Sequence, residues 1–168
     1  MATDEELVAE ARAGSRDAAA ELFERHWPSA WKVAYTLTGA SASAEDVAQD
    51  SFERAFSALE TFNGRSAFST WLHRIVVNRA LNVRRNEKRL VSTDLSEERA
   101  STEAPPGGDD IADAVARLAS DRRAVVVLRY WLDFAPSEIA AILDVPEGTV
   151  HSRLGRALAD LRKELEST

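Results

Sequence analysis

The hydrophobic residues of the segment from Phe68 to Arg89 recur with the period of an α-helix. They fall at i, i+3, i+4, i+7 and i+8, which predicts a helix with one buried face. The residues of this face are Phe68, Trp71, Leu72, Ile75, Val76 and Val83. A polar stripe of Arg74, Asn78 and Arg85 points away from it, and from Arg74 onward six basic residues stand against one acid. Two interpretations remain open: a surface that lies on a polyanion, or a solvated face whose cations complement the helix dipole.

Three further helical patterns precede this segment. They cover residues 4–13, residues 17–37, and a stretch that begins after Gly39 and continues to Leu59. Pro28 is expected to kink or restart the second helix near Trp27, because proline has no N–H to donate and its ring clashes with the preceding turn. An Asn63-Gly64 turn signal then separates the third helix from the basic segment.

The composition changes between residues 91 and 110, where Ser, Thr, Glu, Pro and Gly dominate. Such a segment cannot bury enough apolar surface to offset the entropy lost on ordering, so we interpret it as a flexible linker. Four helical patterns follow, over residues 111–118, 121–132, 137–143 and 149–165. The prediction is an all-α fold of two small helical domains, residues 1–90 and 111–168, joined by an acidic linker.

The last two helices are joined by a tight connection, residues 144–148, and the second of them is long. This pattern is typical of a helix-turn-helix, whose second helix enters the DNA major groove at its beginning. A plain helical hairpin in a bundle is the alternative. The outward residues of the second helix are then His151, Ser152, Gly155 and Arg156, and the expected inward residues are Val150, Leu154, Leu158, Leu161 and Leu165.

The formal net charge of −7 is unevenly distributed along the chain. Residues 1–90 carry a net charge of −1, residues 91–110 carry −5, and residues 111–168 carry −1. Non-specific affinity for DNA comes from the neutralisation of phosphates, so such a chain should not bind DNA tightly alone. If DNA is the target, a partner supplies much of the binding energy.

Composition also excludes several classes of protein. The absence of cysteine excludes disulfides and thiolate metal sites. No apolar run approaches the roughly 18–20 residues that span a membrane, and the acidic amino terminus does not resemble a signal peptide, which predicts a cytoplasmic protein. The three histidines lie far apart, and no phosphate loop, nucleophile elbow or metal-ligand spacing occurs. We therefore expect no enzymatic activity, no cofactor and no metal.

A second polar stripe lies on the third predicted helix. Its members, at spacings of three and four, are Asp46, Gln49, Asp50 and Glu53. Paired carboxylates can serve acid–base catalysis or bind a metal, but no histidine lies in phase with them. A solvated face or a docking surface is therefore favoured over chemistry.

Both halves of the chain resemble one family of proteins. The motifs EDVAQDSF and FSTWLHRIVVN, within residues 45–85, resemble the second conserved domain of bacterial RNA polymerase sigma factors of the small extracytoplasmic-function (ECF) type. The motifs EIAAIL and PEGTVHSRLGRAL, within residues 118–165, resemble the fourth domain of the same family. The motifs occur in the family's order, with a short linker and no intervening third domain.

The resemblance implies partners for each polar surface. The stripe of Asp46, Gln49, Asp50 and Glu53 would dock on the clamp helices of the largest subunit of core RNA polymerase. The flap of the polymerase is a further expected contact of the chain. The −10 promoter element, as it melts, would be held by Phe62, Asn63, Gly64, Arg65, Ser66, Trp71, Arg74, Asn78 and Arg85. Trp71 also belongs to the apolar stripe, which favours a core role for it. The −35 element would be contacted by Thr149, His151, Ser152, Arg153 and Arg156.

Our leading hypothesis is therefore a non-catalytic subunit that gives core polymerase its promoter specificity and assists melting. Family members are commonly held inactive by an anti-sigma factor, so the resemblance implies such a partner. His151 and Gly155 depart from the family's usual basic and larger residues, which puts the −35 sequence in doubt. The alternative hypothesis is a stand-alone helix-turn-helix regulator, which would bind a specific DNA site tightly without polymerase.

Overall fold

The computed structural model describes residues 1–91 and 110–167. Its helices in the first part are α1 (Asp4–Arg12), α2 (Arg16–Thr38), α3 (Ser41–Ser57) and α4 (Phe68–Val91), with a 3-10 turn at Leu59–Thr61. Those in the second part are α5 (Asp110–Arg117), α6 (Ser120–Val126), α7 (Pro136–Leu143) and α8 (Glu147–Glu166), with a π-helical turn at Val127–Trp131 after α6. Of the predicted linker, residues 91 and 110 are helical, and residues 92–109 lie outside the described residues.

Helices α1 to α4 pack into an amino-terminal domain, in which α2 contacts each of the other three. A capping box begins α1: Glu6 N–H donates to Thr3 Oγ1, and Thr3 N–H donates to Glu6 Oε2. Gly39 ends α2 in the left-handed conformation, with a φ of 77°, as its position in the sequence predicts. The largest buried side chains of this domain include Leu22, Phe52 and Leu72.

Of the two effects expected of Pro28, a kink or a restart of α2 near Trp27, the restart is wrong, because α2 is one continuous helix from Arg16 to Thr38. Pro28 is exposed on the outer side of the helix, so its ring displaces no core residue. Leu22, His26 and Ala30 on the opposite side are buried against the rest of the domain. Because residues before and after Pro28 are packed in this way, the helix stays continuous despite the missing N–H.

Helices α5 to α8 form a carboxy-terminal domain, in which α8 contacts α5, α6 and α7. The turns before α7 and α8 contain Asp133 and Asp144, which have φ values of 56° and 54°. The short side chain of aspartate tolerates this left-handed conformation better than most residues do. The connection between α7 and α8 is correspondingly tight, and Val145 N–H donates to Ala140 O across it.

The inward face of α8 differs in part from the prediction. Val150, Leu154 and Ala157 are buried, whereas Leu158 and Leu165 remain 44% and 47% exposed. The buried stripe follows Ala157 because that position stands three residues after Leu154 and packs on the neighbouring helices. Leu158 lies one position further round the helix and contributes to its outer surface.

The two domains contact each other through α2 and α6. Arg123 on α6 is only 3% exposed, and its Nη1 donates to the carbonyl of Thr36 on α2 at 3.1 Å. Its Nη2 donates to Leu118 O at 2.9 Å within its own domain. Lys32 Nζ lies 5.1 Å from the ring centroid of Trp131. No helix in residues 1–91 or 110–167 is long and apolar enough to cross a membrane.

Candidate nucleic-acid interface

The loop between the 3-10 turn and α4 is anchored by one aromatic ring. The ring of Phe62, which is 7% exposed, packs edge-on against Phe68 and tilted against Trp71, at centroid distances of 6.0 and 5.1 Å. Phe62 therefore belongs to the core and the half-buried Trp71 packs against it, in line with the core role favoured for Trp71. The anchored ring fixes the base of the loop.

The rest of this loop is turned toward solvent. Asn63 Oδ1 accepts a hydrogen bond of 3.0 Å from the N–H of Arg65, which forms a local side-chain turn. Gly64, between them, has a φ of 71°, a conformation that disfavours residues with a Cβ atom. Asn63, Gly64 and Arg65 are exposed and Ser66 is half-buried. The loop thus presents an amide, a guanidinium and a hydroxyl from a defined backbone.

Helix α1 forms a wall beside the loop. A cleft of 270 Å³ lies between the start of α1, at Thr3 and Asp4, and the loop residues Gly64 and Ser66. A second cleft of 320 Å³ is lined by Arg12 of α1 and by the other side of the same loop. The exposed loop tip therefore stands between two open clefts, both of them bounded by α1.

The outer face of α4 is polar, as the periodicity of the sequence predicts. Arg74, Asn78 and Arg85 are exposed, whereas Leu72, Val76 and Val77 on the opposite side are buried. An open groove of 580 Å³ runs along this face, and the described residues that line it are arginines and asparagines. These residues are Arg79, Asn82, Arg85, Asn86 and Arg89. Such a surface can contact phosphates through charge and base edges through amides.

One member of this face is engaged by the other domain. Arg74 Nη2 donates to Glu138 Oε1 of α7 at 3.0 Å, and the Arg74 guanidinium lies 5.1 Å from the centroid of the Phe134 ring. Glu138 Oε2 also accepts a hydrogen bond from the N–H of Ala135, at the start of α7. The same carboxylate therefore caps the first helix of the helix-turn-helix and holds a cation of α4.

The acidic stripe of α3 is only partly free. Asp46, Gln49 and Glu53 are exposed, as a docking surface requires. Asp50 Oδ2 instead accepts hydrogen bonds from Arg54, at 3.1 Å, and from Arg79 of α4. Asp50 thus connects α3 to the cationic groove of α4. No group of three or more residues with metal-ligating side chains forms in the described part of the chain.

The beginning of α8 presents the residues that the helix-turn-helix pattern predicts. His151, Ser152, Gly155 and Arg156 are exposed, and Val150 and Leu154 on the other side are buried. Two further residues predicted to contact the −35 element are less accessible. They are Thr149, which is half-buried, and Arg153, which is half-buried with its Nε 3.5 Å from Asp121 Oδ2. Among the ionisable residues predicted to contact the −35 element, His151 and Arg156 are therefore more accessible than Arg153.

His73 lies between the core and the polar face of α4. Its Nε2 is 2.9 Å from Ser29 Oγ, and burial, together with the nearby charge of His26, lowers the pKa of His73 to about 4. In the unfolded chain the pKa of His73 is near 6.5, so as the pH falls the unfolded chain binds a proton at His73 before the folded chain does. The contribution of neutral His73 to the free energy of unfolding is therefore fully present above pH 6.5 and is lost as the pH falls toward 4.

We expect His73→Gln to weaken this pH dependence. Each unit of pKa shift corresponds to about 1.4 kcal/mol, so with allowance for partial solvent screening the difference is about 2 kcal/mol between pH 7.5 and pH 4.5. Urea unfolding of the wild type and the variant at both pH values measures it. His151→Gln is the control at an exposed site. Equal pH dependence in the wild type and His73→Gln would contradict the assignment.

Both halves of the chain match families of known proteins. Residues 22–90 match the family described as Sigma-70 region 2, and residues 108–161 match the family described as Sigma-70, region 4. The chain is thus a sigma factor with two helical domains, the second of which contains a helix-turn-helix. It is 30% identical to the ECF RNA polymerase sigma factor SigW of Bacillus subtilis over 94% of each chain. It is 34% identical to SigM of Mycobacterium tuberculosis over 97% of this chain and 85% of that relative.

The chain therefore belongs to the ECF family of RNA polymerase sigma factors. Sigma factors are non-catalytic transcription initiation factors, in agreement with the expectation of no enzymatic activity. Two solved structures share the fold. The sigma factor RpoE of Bartonella quintana, in complex with the anti-sigma factor NepR, aligns with a TM-score of 0.67 at 25% identity, over 88% of this chain and 96% of that one. CnrH, in complex with the cytosolic domain of CnrY, aligns with a TM-score of 0.62 at 27% identity, over 98% and 97%.

Proposed function

We propose that this sigma factor reads a two-element promoter with two separate surfaces. The loop of residues 62–66 and the outer face of α4 would bind the −10 element, and the beginning of α8 would bind the −35 element. One observation carries the proposal: in each domain one helix exposes a polar face and buries the other. The exposed face carries arginine and amide side chains on α4, and His151, Ser152 and Arg156 at the beginning of α8. Residues 1–90 and 111–168 would then be the functional domains, and the chain between them a linker.

The loop suits an opened strand better than a duplex. Its exposed tip offers Asn63 and Arg65 to base edges and phosphates, and the clefts on both sides of Gly64 leave room for an unstacked nucleotide. Arg74, Asn78 and Arg85 would hold the backbone beside it. Phe62 and Trp71 would support the loop from within the core.

The acidic stripe of α3 is proposed as the polymerase-docking surface. Asp46, Gln49 and Glu53 are exposed and lie on a different helix from the proposed DNA-binding residues. Docking at Asp50 would compete with its hydrogen bonds to Arg54 and Arg79. The near-neutral charge of each domain is consistent with a protein that binds DNA strongly only as part of a holoenzyme.

Promoter binding would require the domains to separate locally. Full engagement of Arg74 by DNA would compete with its pairing to Glu138 and its contact with the ring of Phe134. Both partners of the ion pair are more than 40% exposed, and such pairs contribute about 0–1 kcal/mol. This contact is therefore weak enough to be broken when polymerase and DNA bind.

Transcription from linear templates with core RNA polymerase tests the proposal. Addition of the chain should produce discrete run-off transcripts from a subset of genomic fragments, and sequencing of their 5′ ends identifies the promoters. A gel-shift assay with the same fragments should show little binding without polymerase. Tight sequence-specific binding by the isolated chain, with no transcripts, would instead favour a stand-alone regulator.

Arg156→Ala should weaken recognition of the −35 element selectively. An arginine that contacts guanine with two hydrogen bonds contributes about 1–3 kcal/mol, so we expect a roughly 10- to 100-fold loss of holoenzyme affinity for the promoter. Fluorescence anisotropy with labelled promoter DNA measures this loss, and mutation of the −35 element should abolish the difference from wild type. Arg162→Ala, an exposed arginine nearer the end of α8, is the matched control. Equal losses in the two variants would refute base contact by Arg156.

The proposed setting is the cytoplasm, with an anti-sigma factor as inhibitor. Two sigma factors of similar fold were each solved with an anti-sigma protein or with the cytosolic domain of a partner. A protein that co-purifies with this chain from its own cells should suppress run-off transcription when added back, and removing it should restore activity. Full activity of the chain at every concentration of that protein would argue against its being the inhibitor.

A further inference from the structure

Arg12, the last residue of α1, connects that helix to the proposed −10 loop. Its Nε donates to the carbonyl of Leu59 at 3.0 Å, and its Nη2 donates to the carbonyl of Phe62. The guanidinium also lies 5.9 Å from the centroid of the Phe62 ring. Arg12 therefore contacts both ends of the short turn from which the loop departs, although 47 residues separate it from Leu59.

The two acceptors are backbone carbonyls that fix the path of the chain. Leu59 begins the 3-10 turn, and Phe62 follows its last residue and begins the loop. Nε and Nη2 share one edge of the planar guanidinium, so a single rigid group sets the separation of the two carbonyls. A lysine has one ammonium on a flexible stem and cannot reproduce this fork.

Helix α1 is itself firmly attached to the domain, so the position of Arg12 relative to α2 is fixed. Asp4 Oδ1 accepts a hydrogen bond of 2.8 Å from Arg25, and Asp4 Oδ2 lies 2.7 Å from His26 Nε2. Leu7 and Val8, in the middle of the helix, are buried. One end of α1 is thus held on α2, and the other end holds the loop.

We propose that Arg12 is a positioning residue for promoter recognition: through its hydrogen bonds to Leu59 O and Phe62 O it sets where the loop of residues 63–66 stands relative to the melted −10 strand. This inference rests on the proposed role of that loop. Loss of the fork frees two carbonyls beside a loop in which Asn63 Oδ1 accepts a hydrogen bond from Arg65 N–H and Ser66 Oγ donates a long one, of 3.4 Å, to Ala67 O. A small displacement of a positioned group costs about 10- to 100-fold in activity.

The test compares Arg12→Lys and Arg12→Ala with Arg16→Ala, an exposed arginine at the start of α2. Each holoenzyme transcribes a promoter found with the wild-type chain and a series in which each −10 base is changed. We expect about 10-fold less transcription from the intact promoter for both Arg12 variants. Their discrimination among the −10 bases should fall, while polymerase affinity and dependence on the −35 element remain unchanged. Arg16→Ala should match the wild type.

A second readout does not depend on transcription. Hydrogen exchange of the free chain should show faster exchange at the amides of residues 62–67 in both Arg12 variants, with unchanged exchange in α3. Wild-type discrimination among −10 bases in Arg12→Lys and Arg12→Ala, measured below their unfolding temperatures, would overturn the inference. Failure of the wild-type chain to direct promoter-dependent transcription would instead count against the proposed function itself.

Discussion

Phe52→Ala is expected to lower the free energy of unfolding of the amino-terminal domain by about 3–5 kcal/mol, the usual cost of removing a buried phenylalanine. The ring is 2% exposed and lies at the centre of an aromatic cluster. Its centroid is 4.7 Å from that of Phe23, 6.1 Å from that of Trp27 and 6.0 Å from that of Phe56. Truncation leaves a cavity that these neighbours, each fixed on α2 or α3, cannot fill by small movements.

Denaturant unfolding followed by tryptophan fluorescence measures this loss, since Trp27 reports directly on the cluster. The matched control is Phe56→Ala, which removes the same side chain from a half-buried position on the same helix. We expect it to cost clearly less, because part of the Phe56 ring already contacts water. A cost for Phe52→Ala equal to or below that of Phe56→Ala would show that the cluster is not the centre of the core.

Helix α4 could be predicted from the sequence because its information is local. Its apolar residues recur regularly over about four turns, and the observed helix, Phe68–Val91, agrees with the predicted segment to within two residues. The outward direction of Arg74, Asn78 and Arg85 follows from the same periodicity. Their exposure is therefore confirmed, whereas their contacts with DNA stay a prediction.

Features that depend on distant parts of the chain could not be predicted in this way. Phe134 stands in a short loop without periodicity, yet it is buried in the core, and Arg74 of the distant helix α4 lies over its ring. Arg12, at the end of a short acidic helix, gives no local signal that it holds a loop 50 residues away. The opposite case is Leu158, whose spacing predicts an inward position but which is 44% exposed.

Arg123 is the least predictable of these residues, and its replacement has the second largest expected effect. An arginine next to another arginine is normally a surface residue, but this one is buried between the domains. Its hydrogen bonds to Thr36 O and Leu118 O come from a charged donor, and such bonds contribute about 1.5–3 kcal/mol each. Of these two bonds, the one to Thr36 O joins the domains, and this buried bond links them more strongly than the exposed pair of Arg74 and Glu138 does.

Arg123→Ala should therefore lower the free energy of unfolding by about 2–4 kcal/mol and loosen the contact between the domains, because it leaves two buried carbonyls without this donor. Denaturant unfolding measures the first effect, and small-angle X-ray scattering should show a larger radius of gyration. The matched control is Arg122→Ala, whose side chain pairs with Asp160 inside the carboxy-terminal domain. It should change stability without separating the domains. An unchanged radius of gyration in Arg123→Ala would mean that apolar contacts between α2 and α6 suffice to keep the domains together.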